Sequence, residues 1–259
     1  MTRFDSGLGR MRITHVFLLA TTAVLTACER PPESGAEPIV ISCTLSLNSA
    51  EIQTLETLEL QGCGDIDFRP LWDAKNLREL SIEDPELTDI RLLAPLRSLE
   101  VLELEVSNVH DLNTVAPITG LRELVVVDTP LADLSPVSRL ANLERLDIGD
   151  TYVNDLEPLS GITTLQVLKA PRTRVWDVAP LVGMTRLRDV DLSENGIADP
   201  RPLLEHPNLS NMQIQLSGNC INTEDVYLRD AITELNARAA SFDLGIQSPD
   251  CGDLSYYKD

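Results

Sequence analysis

The chain has 259 residues, 43% of them hydrophobic and only 4% aromatic, and its formal net charge is −20 at pH 7. This length allows one large or two small domains with a substantial core. An acidic surface repels the phosphate backbone, which argues against a nucleic-acid partner. The histidines are His15, His110 and His206, too few to favour a histidine-based metal site or catalytic triad.

The N-terminal segment has the composition of a secretory signal. Residues 12–28 combine a basic start, a short apolar run and small residues before a cleavage point. The apolar run is too short to span a membrane comfortably. It ends in Leu-Thr-Ala-Cys at 25–28, which resembles the bacterial lipobox. That resemblance implies a lipoprotein signal peptide over 1–27, with Met11 as a second candidate start, and a lipid on Cys28 as the only membrane attachment. The alternative is an ordinary thiol in a plain signal peptide.

The next residues are predicted to form a tether and a cap. Residues 28–38 are rich in proline and glutamate, which is typical of a short extended linker. Glu29 follows the candidate acylated cysteine, where an aspartate would retain a Gram-negative lipoprotein at the inner membrane. The resemblance therefore implies a lipid-anchored protein of the bacterial cell envelope, at the outer membrane. Residues 39–54 are predicted to form an N-terminal cap.

A strict period of 22 residues organises the rest of the chain. Each of eight units carries L-x-x-L-x-L or a close apolar variant of it, and its last two apolar positions alternate as in a strand. This is the leucine-rich-repeat signature, and it predicts eight repeats over 55–219. The first leucines of the units are Leu55, Leu77, Leu99, Leu121, Leu143, Leu165, Leu187 and Leu209. In the last unit, Met212 and Ile214 are predicted to be the next two apolar positions.

The segment Asp-Leu-Glu-Pro-Leu at 155–159 resembles the D-L-x-P-L of internalin-type bacterial repeats. That resemblance implies an α/β solenoid, a right-handed superhelix with short parallel strands on the concave face and 3₁₀ turns on the convex face. Proline at positions 136, 158, 180 and 202 suits such turns, because its fixed φ helps and its missing N–H costs little.

Two polar columns follow the period. We interpret the first, a row of aspartates, as acceptors for the free N–H groups of the turns and not as a calcium site. Its members are Asp67, Asp89, Asp111, Asp133, Asp155, Asp177 and Asp199. The second is the ninth position, where a hydroxyl ladder is expected to bond loop backbone. Its members are Ser107, Thr129, Thr151, Thr173, Asn195 and Ser217.

Four cysteines lie near the two ends of the repeats. A disulfide needs Cα atoms within about 7 Å, which opposite ends of a solenoid cannot meet. The predicted bridges are therefore Cys43–Cys63 and Cys220–Cys251, which would close both caps. Residues 220–259 are predicted to form the C-terminal cap, with a helix over 223–240 that opens at Thr223.

The third, fifth and seventh positions of each repeat are predicted to point out of the concave face. They supply nine carboxylates but only two cations, Arg145 and Lys169. We interpret the face as a dock for a basic protein segment or a polyamine-like ligand, and the alternative is a solvated face without a ligand. The carboxylates belong to Glu59, Glu79, Glu83, Glu103, Glu105, Glu123, Asp147, Asp189 and Asp191.

The sixth repeat departs from this pattern. It carries Lys169, Arg172, Arg174 and Trp176, and Tyr152 in the preceding repeat is predicted to stack beside Arg174. Exposed tryptophan, tyrosine and arginine together are typical of a binding hot spot. The alternative is structural: Arg174 pairs with acids such as Asp150, and Trp176 covers the solenoid edge.

The function predicted from these observations is non-catalytic. The sequence shows no nucleophile–base pair, metal triplet or glycine-rich phosphate loop, and implies no cofactor. We expect an envelope-tethered scaffold that binds a protein or glycan ligand on the concave face or at the Trp176 edge. The alternatives are a structural or self-assembling envelope lipoprotein and, behind it, a calcium-dependent adhesin.

Overall fold

The computed structural model describes residues 22–25, 49–63 and 67–248. Within them, ten parallel strands form one sheet, and each strand pairs with the next in the chain. The strands are β1 (Thr22–Leu25), β2 (Thr57–Gln61), β3 (Glu79–Glu83), β4 (Val101–Glu105), β5 (Glu123–Val127), β6 (Arg145–Asp147), β7 (Val167–Lys169), β8 (Asp189–Asp191), β9 (Gln213–Gln215) and β10 (Ser241–Asp243).

Short 3₁₀ turns connect most of the strands, and an α-helix lies near each end of the described repeats. The helices are α1 (Ser49–Thr54) and α2 (Val226–Arg238). The 3₁₀ turns are Arg69–Asp73, Arg91–Leu93, Ser135–Arg139, Glu157–Leu159, Ala179–Gly183, Arg201–Glu205 and Leu209–Asn211. Among the described helices, none is long and apolar enough to cross a lipid bilayer.

The leucine period produces this stack. Leu58 pairs with Leu80, and Leu80 with Leu102, so that equivalent side chains lie above one another in the sheet. All three are buried. Each buried leucine side chain contributes about 1.5–3 kcal/mol, and burial is complete only when adjacent repeats cover it. The predicted leucine-rich-repeat solenoid with parallel strands and 3₁₀ turns is confirmed.

The eighth repeat is longer than predicted. Val190 pairs with Ile214, 24 residues on, and not with Met212, 22 residues on. The extra 3₁₀ turn Leu209–Asn211 takes up the two additional residues. The predicted register of this repeat, in which Met212 follows Val190, is therefore wrong, because a local turn overrides the period.

The ninth-position ladder forms in part. The hydroxyl groups of Thr151 and Thr173 donate to the carbonyls of Ile148 and Ala170, at 2.8 and 3.1 Å. Asn195 donates to three backbone carbonyls. The longer eighth repeat places Asn219, not Ser217, in the next position, where it donates to Leu192 and Leu216. The buried hydroxyl groups of Ser107 and Thr129 find no partner among the described residues.

The aspartate row closes the turns, as predicted. In each of the seven repeats the Oδ1 atom accepts the N–H of the residue two positions further on, at 2.7 to 3.1 Å. At Asp89, the hydrogen bond from the Arg91 guanidinium lowers the pKa of the carboxyl to about 2. These carboxylates are therefore engaged within their own turns.

The C-terminal cap differs from its prediction at both ends. α2 begins after Asp225, whose Oδ1 accepts the N–H groups of Tyr227 and Leu228 at 2.8 and 3.3 Å, so Thr223 does not open the helix. The chain after α2 then adds β10 beside β9, with Phe242 opposite Ile214. This strand was not predicted from the sequence. α2 and β10 therefore form one further coil, in which a helix replaces the 3₁₀ turn.

The structure describes one cysteine of each predicted bridge, Cys63 and Cys220. Cys63 is a free, buried thiol that donates to the carbonyl of Gln61 at 3.6 Å, so its predicted bridge to Cys43 is not formed. There it packs as a small apolar side chain. Cys220 is disulfide-bonded. The other three cysteines, Cys28, Cys43 and Cys251, lie outside the described residues, as does most of the predicted signal peptide and tether.

The unpartnered hydroxyl of Thr129 predicts that Thr129→Val raises the free energy of unfolding by about 1 kcal/mol, because it removes a buried polar group that has no partner. The matched variant Thr151→Val loses a hydrogen bond and is expected to lower it by about 1 kcal/mol. Urea denaturation measures both. Changes of the same sign in the two variants would contradict the assignment.

Candidate ligand-binding surface on the sheet

The solvent-facing side of the sheet, here the concave face, presents its side chains in rows that cross the strands. The first row contains Thr57, Glu79, Val101, Glu123, Arg145, Val167, Asp189 and Gln213. The second contains Glu59, Ser81, Glu103, Val125, Asp147, Lys169, Asp191 and Gln215. A third, shorter row contains Gln61, Glu83, Glu105 and Val127. The structure thus brings all nine predicted carboxylates to one surface.

The two cations of this face are already paired. Arg145 lies 2.8 Å from Glu123 and 3.7 Å from Asp147, and Lys169 lies 2.7 Å from Asp189. These pairs offset part of the negative charge of Glu123, Asp147 and Asp189. Within the described parts of the chain, no ion pair reaches the remaining glutamates of β2 to β4, which are Glu59, Glu79, Glu83, Glu103 and Glu105.

Three carboxyl groups near the centre of the face have raised pKa values, so their charged forms are disfavoured. Burial raises the pKa of Glu105, and the charges of Glu103, Glu83 and Asp147 raise it further. Burial also raises the pKa of Glu123, although Arg145 opposes the shift. At Asp147, burial raises the pKa and outweighs a hydrogen bond from the Gly149 N–H. The charge on this face therefore costs conformational stability.

An apolar strip lies among these acids. Val101, Val125 and Val127 occupy one position in each of the three rows, on β4 and β5. Val125 is buried and the other two are half-buried. We call the outward side chains of β2 to β5 the acidic half of the concave face. Its apolar strip and surrounding carboxylates can contact both the aliphatic stem and the charged end of a lysine or arginine side chain.

A second candidate surface lies on the loops that follow β6 and β7. The guanidinium carbon of Arg174 lies 4.5 Å from the ring centre of Tyr152, which confirms that the two side chains are neighbours. Tyr152 is 53% exposed and Trp176 is 44% exposed. Together Tyr152, Arg174 and Trp176 are called the edge platform. Tyr152 and Arg174 form a cation–π contact on the surface, and this pairing is typical of binding sites.

The other predicted members of this site lie apart from the platform. Lys169 belongs to the concave face. Arg172 makes two 2.6 Å hydrogen bonds with Asp150 and lies 3.5 Å from Glu194. The hydrogen bonds that Arg172 donates to the Asp150 carboxylate raise the pKa of Arg172. The structural alternative predicted that Arg174 would pair with acids such as Asp150, whereas the structure pairs Asp150 with Arg172.

This ladder of charges, formed by Asp150, Arg172 and Glu194, was not predicted from the sequence. Asp150, Arg172 and Glu194 all have left-handed backbone, with φ of 57, 51 and 56°. Their spacing of 22 residues, with alternating sign, was the signal that could have revealed it. A shallow cleft beside Arg172 was not predicted either, because the cleft is formed in part by the chain after the unpredicted strand β10. The cleft is lined by Arg172, Glu194, Gly218, Ile246, Gln247 and Ser248.

Solved structures share this fold. An internalin from Listeria monocytogenes is 25% identical, with a TM-score of 0.63 over 78% of this chain and 57% of its own. An internalin C2 from the same organism is 27% identical, with a TM-score of 0.58 over 66% of this chain and 84% of its own. A plant peptide hormone receptor, solved in complex with a peptide hormone, is 19% identical, with a TM-score of 0.57 over 75% of this chain and 33% of its own.

No protein-family model matches the chain, and no curated protein matches its sequence. The chain spans about 57% of the length of the first of these internalins. The fold defines the chain as a leucine-rich-repeat protein. Its repeats are similar to those of the two internalins.

Because the pKa of Glu105 is raised in the folded protein, its charge lowers stability above that pKa. Glu105→Gln is therefore expected to raise the free energy of unfolding at pH 7, by less than about 1 kcal/mol since solvent screens part of the effect. The gain should disappear as the pH falls to the ordinary glutamate pKa of about 4.3.

Thermal denaturation across this pH range measures the effect. The matched control is Glu144→Gln, which breaks an ion pair with Arg122 and should not stabilise the protein at pH 7. An equal or larger gain in the control, or a gain for Glu105→Gln that persists at pH 4, would argue against the electrostatic explanation.

Proposed function

We propose that this protein is a non-catalytic scaffold that binds a basic, extended segment of a protein ligand on the acidic half of its concave face. The observation that carries the proposal is the group of carboxylates on β2 to β4 that has no ion pair among the described residues. A ligand that supplies cations would pair with these carboxylates and relieve the loss of stability that their charge causes in the folded protein.

Partial burial of the acids on this face is what makes their charge destabilising. The pKa of Glu105 is raised by burial and by three other acids, whereas a fully solvated carboxylate would keep its ordinary value. A face that served only to keep the protein soluble could carry its acids farther from the apolar strip. The shared fold of internalins and of a peptide hormone receptor solved with its ligand supports a protein or peptide as the partner.

The spacing of the second row suggests the shape of the ligand. Its carboxylates stand on every second strand, at Glu59 and Glu103 within the acidic half and at Asp147 just beyond it on β6. Neighbouring strands lie about 4.8 Å apart, so successive carboxylates are about 9.6 Å apart. A polyproline II chain repeats its side-chain direction every three residues, over about 9.3 Å. A ligand that runs across the strands and carries lysine or arginine at every third residue would place a cation at each carboxylate.

A peptide with lysine at every third position and proline between tests this geometry. We expect it to bind more tightly than a peptide of the same composition with its lysines grouped, and to weaken as salt is raised. Glu103→Gln combined with Glu105→Gln should weaken binding about fivefold to tenfold, as expected for two partly buried charge pairs. Fluorescence anisotropy measures all of these affinities.

The matched control replaces two exposed acids that lie away from the concave face, Glu86→Gln and Glu205→Gln, and keeps the same net charge as the test variant. It should bind with the affinity of the unaltered protein. Equal losses in the two double variants would mean that net charge, and not the acidic half, attracts the peptide.

The edge platform is a second candidate surface for a protein or glycan ligand. Its cation–π contact and its exposed indole favour it independently of the concave face. Arg174→Ala with Trp176→Ala should leave peptide binding on the concave face unchanged. A native partner captured by proximity labelling that persists in this variant but is lost from the Glu103 and Glu105 variant would assign recognition to the concave face alone.

The proposal includes a location: a bacterial cell envelope, with the scaffold held by a lipid on Cys28 at the outer membrane. The lipobox-like segment at 25–28 supports this proposal. Mass spectrometry of the N-terminal peptide of the mature protein should find an acylated Cys28, and Cys28→Ser should release the protein from the membrane fraction. An unmodified Cys28 at an internal position of the mature chain would overturn it.

A further inference from the structure

One histidine interrupts an apolar column of the core. In six earlier repeats the residue at this position is a buried aliphatic side chain or methionine, and in the next repeat it is His206, which is only 2% exposed. The preceding members of the column are Ala74, Leu96, Ile118, Leu140, Ile162 and Met184. Nothing in the leucine period calls for a titratable group here.

Both ring nitrogens of His206 are used, and they need different protonation states. Nδ1 accepts the N–H of Asn208 at 3.1 Å, so it carries no proton. Nε2 lies 3.2 Å from the carbonyl of Met184, to which it donates its proton. These two bonds tie the end of the seventh repeat, just before the long eighth repeat, to the sixth repeat. Only the neutral ring with its proton on Nε2 can make both of them.

Protonation of the ring would break this arrangement. A proton on Nδ1 would place two donors, Nδ1–H and the Asn208 N–H, against each other, and it would bury a positive charge in an apolar column. Burial lowers the pKa of His206, and the Met184 carbonyl only partly opposes the shift. The folded protein thus disfavours the imidazolium that the unfolded chain would accept below about pH 6.5.

No nearby carboxylate compensates for the proton. The turn that ends at His206 packs against Ala179–Gly183 and Leu209–Asn211, neither of which has a charged residue, and against α2. The charged side chains on α2 and on the turn itself do not contribute to the pKa of His206. They are Arg201, Glu205, Arg229, Asp230, Glu234 and Arg238.

We propose that His206 is an acid-sensitive latch that holds the C-terminal cap on the solenoid only while its imidazole is neutral. The segment it secures leads through Leu209–Asn211 into β9, and both parts of the cap rest on that region. α2 packs against Arg201–Glu205, and β10 pairs with β9. Protonation therefore releases the last coils while the earlier repeats, which lack a histidine in this column, stay closed.

Hydrogen exchange with mass spectrometry on the full chain, corrected for the intrinsic effect of pH, tests the latch. Peptides from α2 and β10 should open roughly tenfold more for each pH unit below 6.5, until the pH reaches the pKa of the folded state. Peptides from β3 to β5 should not follow. Stability is thus fully present above pH 6.5 and is lost as the pH falls.

His206→Leu, which restores an apolar column, should abolish the pH response of the cap. His110→Gln removes an exposed histidine and should leave the response intact. If His206→Leu does not fold, His206→Gln serves, because its amide can accept from Asn208 and donate to Met184 without titrating. A response that survives replacement of His206, or that is equal in β3 to β5, would overturn the proposal.

Discussion

The pairing of each strand with the same strand of the next repeat is the constraint on which the molecule depends. Leu58, Leu80 and Leu102 are buried because the backbone register places them in one column. A single repeat could not shelter its own leucines, so the core exists only as a stack. Residues at the same position of adjacent repeats are therefore neighbours. How well their side chains pack or pair determines whether a residue stabilises the fold.

Charge is where this constraint is hardest to satisfy. A repeated acid meets its own copy about 4.8 Å away, unless something separates the two. The aspartate row is relieved because each carboxylate bonds within its own turn, as Asp89 does with Arg91. The ladder Asp150–Arg172–Glu194 is relieved by alternating sign. In the acidic half of the concave face the relief is incomplete, and a ligand would complete it.

The sequence was sufficient to predict the features that follow from the 22-residue period. It predicted the solenoid, the strands, the turn-closing aspartates and the contact between Tyr152 and Arg174, because one register determines all of them. It failed where a local interaction outweighs the period. The turn Leu209–Asn211 lengthens the eighth repeat, Asp225 caps α2 in place of Thr223, and Cys63 fills the core as a free thiol. The pairing of Arg172 with Asp150 depended on side-chain direction, which spacing alone does not give.

In a stacked protein, a residue that departs from its column is more informative than one that follows it. A leucine at a column position is explained by the leucines beside it, and a hydroxyl in the ninth position by the backbone it bonds. His206 in an aliphatic column and the valines beside Glu103 and Glu105 have no such explanation. Each of them lowers the stability of the fold. Glu105 carries a charge in a partly buried position, and the buried ring of His206 must stay neutral. The repeat pattern does not explain this loss of stability. We attribute it to the ligand proposed for the acidic half of the concave face and to the acid-sensitive opening of the C-terminal cap proposed for His206.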